Sequence, residues 1–376
     1  MLAVSGRWAA QIAANHAPLY RVEAWKTNQR LIANLAVDSA TLTKDAGAYP
    51  RSTATVSVAD TSPSTAQLLT PFGTRLRFFR GLRYPDNTTE LPLVADLDIT
   101  AASFRRPDNS LTLECADPSA RVAAATLPGP WRPPGNEVGA VRYVEAIQAL
   151  INRGRAYPPA QIRDDSPNGN VSKMFVNKPW QADGDPWDAI EQLLDPHGLE
   201  CFFTPDRIPV IRAVPPVKTT ADANLYALAG GTVVATDSQL TREPNIIYVL
   251  GEPDEVTGKQ PMGYALDSAP ASPTYYGGAY GTVVRVENRP SVRTNGEATA
   301  AAQQLLARVQ GRVRTVDLEC VPNPALEPGD TVAIKFSNGA IERHTITRVT
   351  VPFGPGTDDV MQVSTRTTTY TTAGWP

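Results

Sequence analysis

Cysteine and histidine are scarce in this chain, with three of each among 376 residues. Cys115, Cys201 and Cys320 form neither a Cys-x-x-Cys pair nor an even-numbered set, which excludes a disulfide framework and a zinc-ribbon spacing. Each closes the tripeptide Leu-Glu-Cys. On a strand this puts Leu and Cys on one face and Glu on the other, the pattern of small buried side chains in a reducing cytoplasm. A Cys201 thiolate activated by His197 would need a helix to align the pair, and Gly198 interrupts it. His16, His197 and His344 are scattered and fit no His-Glu-x-x-His or His-x-His motif, so no metal site is expected. His16 and His344 read as surface or strand residues.

No apolar run reaches the roughly 18 residues of a membrane span. The first twenty residues lack the charged and apolar regions of a secretory signal, so cytoplasmic synthesis and assembly are expected. Neither sign of charge dominates: the net charge is -3 and the pI about 5.8, which argues against a basic stripe for specific nucleic-acid binding. Nucleophile-elbow and phosphate-loop motifs are missing. Carboxylate pairs of the kind a glycosidase uses could be nominated at Asp164-Asp165, Asp183/Asp185 and Asp358-Asp359. All lie in Pro/Gly/Asn-rich loops, where Asp serves turns. The expectation is a chain without catalytic residues, cofactor or metal.

Proline is plentiful, at 34 residues against a usual share of about 5%. Rigid turns are therefore many. Arginine outnumbers lysine 28 to 7, a hint of a GC-rich genome. The length suits about two to three domains.

After a short helix expected within residues 5–15, with Trp8 and Ile12 on one face, the chain alternates apolar and polar residues for over a hundred positions, as short strands separated by turns. Residues 126–215 read differently. Val141, Val144, Ile147, Leu150 and Ile151 have helical spacing, and so do Trp187, Ile190 and Leu194 behind an Asp185 cap and Pro186. A hairpin turning at Pro205-Asp206 follows. From about 216 the pattern is β again, with a Pro/Gly/Tyr-rich excursion from Glu252 to Tyr280 and one helix carrying Ala302, Leu305, Leu306 and Val309 on one side. Three parts are expected: 1–125, an α+β insertion at 126–215, and 216–376.

The two β parts resemble each other. "STATVSVAD", "LLTPFGTRLRFF", "LPLVADLDIT" and "NSLTLECAD" run in the same order as "VRTVDLEC", "ALEPGDTVAIKF", "ERHTITRVTV" and "VMQVSTRT". In both, a Pro/Gly turn precedes an alternating strand: Pro71 and Gly73 in the first, Pro328, Gly329 and Asp330 in the second. The fold expected is mainly β with an α+β insertion, two small antiparallel β-barrels in one chain.

On "YRVEAW", "YPRSTATVSVAD", "PFGTRLRFFRGLRYPDNTTELPLVADLDIT", "DPWDAIEQLLDPHGLECFFTPD" and "VPNPALEPGDTVAI", the chain resembles the tail-hub proteins of long-tailed bacteriophages. Pro196, set before His197-Gly198, departs from the pattern. The resemblance implies tube-like barrels and a homotrimer that adapts a six-fold tail tube to three-fold tip proteins around a channel for DNA. Implied partners are the distal tail protein or tube ring, the tape measure protein, and tail fibre or tip proteins. Tyr275, Tyr276 and Tyr280 form a candidate partner-contact loop. A sugar-binding adhesin or a wall hydrolase is the alternative.

Overall fold

The computed structural model describes residues 1–14, 16–107, 109–133, 141–154, 161–173, 175–176, 182–215, 218, 220–226, 231–253, 257–289, 292–311, 314–337, 339–355 and 360–367. Its centre is a sheet of 14 strands that takes members from both ends of the chain. The N-terminal part supplies β1 (Ala17–Lys26), β2 (Gln29–Ile32), β3 (Val37–Asp45), β4 (Ser52–Val58), β5 (Thr74–Arg83), β6 (Leu93–Arg105) and β7 (Ser110–Ala116), with a two-residue strand, Thr89–Glu90, beside the end of β5. The C-terminal part supplies β10 (Ala223–Tyr226), β11 (Val233–Leu240), β15 (Arg314–Cys320), β16 (Thr331–Lys335), β17 (Ile341–Phe353) and β18 (Met361–Thr367). Between them lie β8 (Leu199–Phe203) and β9 (Pro209–Ala213), and a separate sheet holds β12 (Ile246–Leu250), β13 (Met262–Leu266) and β14 (Val284–Asn288).

Alternation dictates which faces are buried. Val56 and Val58, Leu76 and Phe78, Leu111 and Leu113, Leu318 and Cys320, Val332 and Ile334, and Val349 and Val351 all point into one apolar core shared by both halves. The Leu-Glu-Cys tripeptides behave as expected on β7 and β15, with Cys115 and Cys320 buried and Glu114 and Glu319 exposed. Burial raises both thiols, Cys320 to about 12, which makes them inert at neutral pH.

The two halves repeat one pairing order. In the first, β3 pairs with β4, β4 with β7, β7 with β6, β6 with β5 and β5 with β1. In the second, β11 pairs with β15, β15 with β18, β18 with β17, β17 with β16 and β16 with β10. Chain order matches as well. The copies differ at the last step, where β1 runs antiparallel to β5 and β10 runs parallel to β16.

Of the expected two small antiparallel β-barrels, the mainly antiparallel β-structure is present, while strand pairing among the described residues closes neither half on itself. The physical reason is visible at β3. Its outer edge, which closure would turn back onto its own half, is occupied by residues Arg348–Phe353 of β17. One continuous sheet results.

The insertion packs on its own core. Helices α3 (Tyr143–Arg153) and α4 (Pro186–Leu194), joined by α2 (Pro118–Ala124) from the end of the first part, bring Val122, Ile147, Leu150, Trp187, Ile190 and Leu194 together with Leu199, Phe203 and Ile211. Asp185 caps α4 by accepting from the Trp187 amide at 2.7 Å. The hairpin of β8 and β9 forms as read, turning through Arg207 at φ 67°. Helix α1 (Trp8–Ile12) starts a turn later than Ser5. The Ser5 hydroxyl instead donates to Glu90 at 2.7 Å, and Trp8 is anchored by its indole N–H to Asn323 at 2.9 Å.

Candidate assembly surfaces

The fold offers three kinds of surface: a buried junction, an apolar face on the separate β12–β14 sheet and, among the described residues, two open edges of the large sheet. The junction centres on Pro328-Gly329-Asp330. Gly329 has φ 96° and Gly73, its counterpart in the first half, φ 92°. These positions require glycine, because a Cβ there is strained against the backbone. Their surroundings differ. Pro71, Phe72 and Gly73 are exposed, with Phe72 at 78%, whereas Pro328 and Asp330 are buried. The Pro328 carbonyl accepts from Arg51 at 2.9 Å and from Arg212 at 3.3 Å. Both guanidinium groups lie over the Phe202 ring, and both pair with Glu200, at 3.4 and 2.7 Å. Arg51 comes from the first half, Arg212 from the insertion and Pro328 from the second half. One turn thus ties three parts together.

A second buried contact docks the insertion on the first half. Arg207, 2% exposed, reaches Asp98 at 3.0 Å and Asp96 at 3.5 Å, and Asp96 also faces Arg75 and Arg77. In the second half, Arg314, Glu342, His344 and Thr365 form a buried chain. Arg314 donates to Glu342 at 3.0 Å, and the two His344 ring nitrogens lie 3.0 Å from Glu342 and from Thr365. His344 is thus a strand residue, fully buried. Burial lowers its pKa, Glu342 pulls the other way and Arg314 adds to the lowering.

The Pro/Gly/Tyr-rich excursion from Glu252 to Tyr280 contains β13. Together with β12 and β14 it makes a three-stranded sheet whose inner face, Ile247, Val249 and Ala265, packs on α5 (Asn295–Val309) through Ala302, Leu305 and Leu306. The outer face aligns Ile246 with Leu266 and Val284, Tyr248 with Tyr264 and Val286, and Leu250 with Met262. Met262, Tyr264, Val284 and Val286 are exposed, an unusually apolar face for open solvent. The alternation of Met262, Tyr264 and Leu266 was the available signal. Neighbouring Pro and Gly residues masked it.

The tyrosine loop beside this sheet is tightly knitted. The Asp267 carboxylate accepts from Ser272 and Thr274 hydroxyls at 2.5 Å and from Gln310 at 2.7 Å. Burial pushes its pKa up, but these donors outweigh it and hold the pKa low. Tyr280 donates to the Glu243 carbonyl at 2.8 Å, Tyr275 is half-buried, and Tyr276 is 41% exposed with its ring 5.5 Å from that of Tyr275.

Two of the nominated acids, Asp164 and Asp185, serve local structure. Asp164 accepts from Ser166 and Ser172, and Asp185 is the α4 cap and accepts from Tyr49, whose pKa that bond raises to about 12. Asp358 and Asp359 lie outside the described residues. His197 stands 3.4 Å from the Tyr143 hydroxyl, and Cys201 is raised well above the ordinary thiol range by burial. Among the described residues no group of three or more His, Cys, Asp or Glu could hold a metal ion, and no helix is long and apolar enough to cross a membrane.

The fold is that of bacteriophage tail proteins. The tail protein of Neisseria meningitidis MC58 superposes with a TM-score of 0.61 at 12% identity, over 93% of this chain and 96% of that one. The 43 kDa tail protein of prophage MuSo2 from Shewanella oneidensis gives 0.60 at 10% identity, over 92% and 98%. A prophage tail protein of Listeria monocytogenes EGD-e gives 0.52 at 13%, over 92% and 94%. No protein-family model and no curated protein sequence matches the chain.

Proposed function

We propose that this chain is a structural, non-enzymatic component of a bacteriophage tail tip: a hub, three copies of which form a ring around a channel for DNA ejection. The observation that carries this reading is the repeated strand order. Three chains with two similar sheet units each present six similar positions to a six-fold tube while keeping three-fold symmetry toward the tip. The fold shared with prophage tail proteins supports the same assignment. The chain divides into a first tube-like unit at 1–125, an insertion at 126–215 that projects from the ring, and a second unit at 216–376. Neighbours on this reading are a distal tail protein or tube ring, the tape measure protein, and fibre or tip proteins. The exposed Tyr276 and the apolar face at Met262, Tyr264, Val284 and Val286 are contact surfaces for such neighbours. Electron microscopy of the purified protein tests the reading. Particles with three-fold symmetry and a central bore are expected; monomers or particles without a shared axis would overturn it.

A further inference from the structure

The chain carries a template for contact with its own second copy. The seam between the halves pairs Arg348, Val349, Thr350, Val351, Pro352 and Phe353 of β17 with Asp45, Lys44, Thr43, Leu42, Thr41 and Ala40 of β3. The counterpart of β17 is β6, and the counterpart of β3 is β11. Both counterparts have the corresponding edge open among the described residues. β6 pairs with β5 only through Leu93–Asp98, so beyond Ile99 that edge has no strand beside it. β11 ends the sheet, with β15 on its inner side alone.

The registers fix how the template transfers. A shift between Ile346 and Arg348 opposite Thr365 and Ser364 recurs between Ile99 and Ala101 opposite Cys115 and Glu114. Another between Val37 and Ser39 opposite Val58 and Ser57 recurs between Val233 and Ala235 opposite Cys320 and Glu319. With irregularities matched on both strands, Val349 corresponds to Ala102, Val351 to Phe104 and Pro352 to Arg105. Lys44 corresponds to Leu240, Leu42 to Ser238 and Thr41 to Asp237.

We infer that the β6 arm of one copy, from Ala101 to Arg106, adds antiparallel to β11 of the next. Ala102 then stands opposite Leu240, Phe104 opposite Ser238 and Arg105 opposite Asp237. Two observations beyond the template favour this occupant. Phe104 is 43% exposed where its counterpart Val351 is 2% exposed, so the arm carries apolar surface that the internal seam buries. The exposed Arg105 and Asp237 also carry opposite charge at directly opposed positions. Pairing β6 with β6, or β11 with β11 about Asp237, brings like charges together, so the contact is heterologous and runs head to tail.

The seam rests on the trimeric reading, and the experiment separates the two. Oligomeric state is measured by native mass spectrometry and light scattering on the full chain, with circular dichroism as a check on folding. Arg105→Asp and Asp237→Arg should each weaken association by about fivefold to tenfold per seam, and the two together in one chain should restore it to within about twofold. A Phe104→Cys/Ser238→Cys chain should oxidise to covalent trimers, while Ser103→Cys/Ser238→Cys, whose side chains fall on opposite faces, should not. Trimers that neither respond to charge exchange nor link in register would overturn the seam and leave the hub intact. A chain that stays monomeric at high concentration would overturn both.

Discussion

Gly73 and Gly329 occupy equivalent turns at φ 92° and 96°, so the first half serves as an internal control for the second. Alanine at either position meets the same backbone penalty, about 1 to 2 kcal/mol. A Cβ at residue 73 touches nothing within 4 Å. At residue 329 it would stand 2.8 Å from Nη2 of Arg212 and 3.0 Å from Cγ of Pro215. Arg212 would have to leave the Pro328 carbonyl, losing a charge-assisted hydrogen bond worth about 1 kcal/mol at this half-buried site. Gly329→Ala should therefore cost about 2 to 3 kcal/mol and Gly73→Ala about 1 to 2. With a urea slope of about 2 kcal/mol/M, the excess at residue 329 is about 0.5 M in midpoint. Urea titration by tryptophan fluorescence reads this difference, since Trp8 and Trp187 report on separate parts. Equal midpoint shifts for the two variants would refute the claim that the Pro328 turn is a docking point and reduce it to a turn.

Arg207→Met should destabilise the contact between insertion and first half by about 2 to 4 kcal/mol, because Asp96 and Asp98 lose a fully buried partner; urea unfolding measures it. Glu191 is raised to about 7 by burial and by Asp195. A raised carboxylate costs stability as pH rises from its unfolded value through 7, so Glu191→Gln should stabilise the insertion by about 1 to 2 kcal/mol at pH 8 and by little at pH 5. His344 has a lowered pKa, so the unfolded chain takes the proton first. Stability should be full above pH 6.5 and fall as pH drops below it, and His344→Gln should flatten that slope in thermal melts.

The helices were legible because their signals are local. Asp185-Pro186 announces the start of α4, and Ala302, Leu305 and Leu306 mark one face of α5. The repeat was legible too, since the same buried residues recur at the same spacing and both turns need glycine. Closure into barrels was not. Whether β3 pairs back onto its own half or onto β17 is a choice between two strands of similar alternation, and nothing in "VDSATLTKD" distinguishes them. The β12–β14 sheet was missed because its second strand lies between Pro/Gly-rich segments, and its exposed face, including Met262 and Tyr264, breaks the polar-out rule.

That exception and the open barrel have a common cause. A half closed on itself would leave no backbone edge with which to meet a neighbour, and a ring would then depend on side chains alone. Here the chain spends one edge, β3, on joining its own halves and, among the described residues, leaves the two equivalent edges unpaired. Open edges invite indiscriminate pairing, yet the β6 arm ends in Arg105 and Arg106 and β11 carries Asp237 at its middle. These charges penalise each edge for meeting its own kind and favour the meeting of the two. A heterologous contact of this sort closes only if successive units turn by a constant angle, and otherwise grows into a filament. The internal seam already sets one such turn between similar halves. The proposed second seam, with the same register, would repeat it, so the geometry that joins two halves in one chain would also set how chains follow one another.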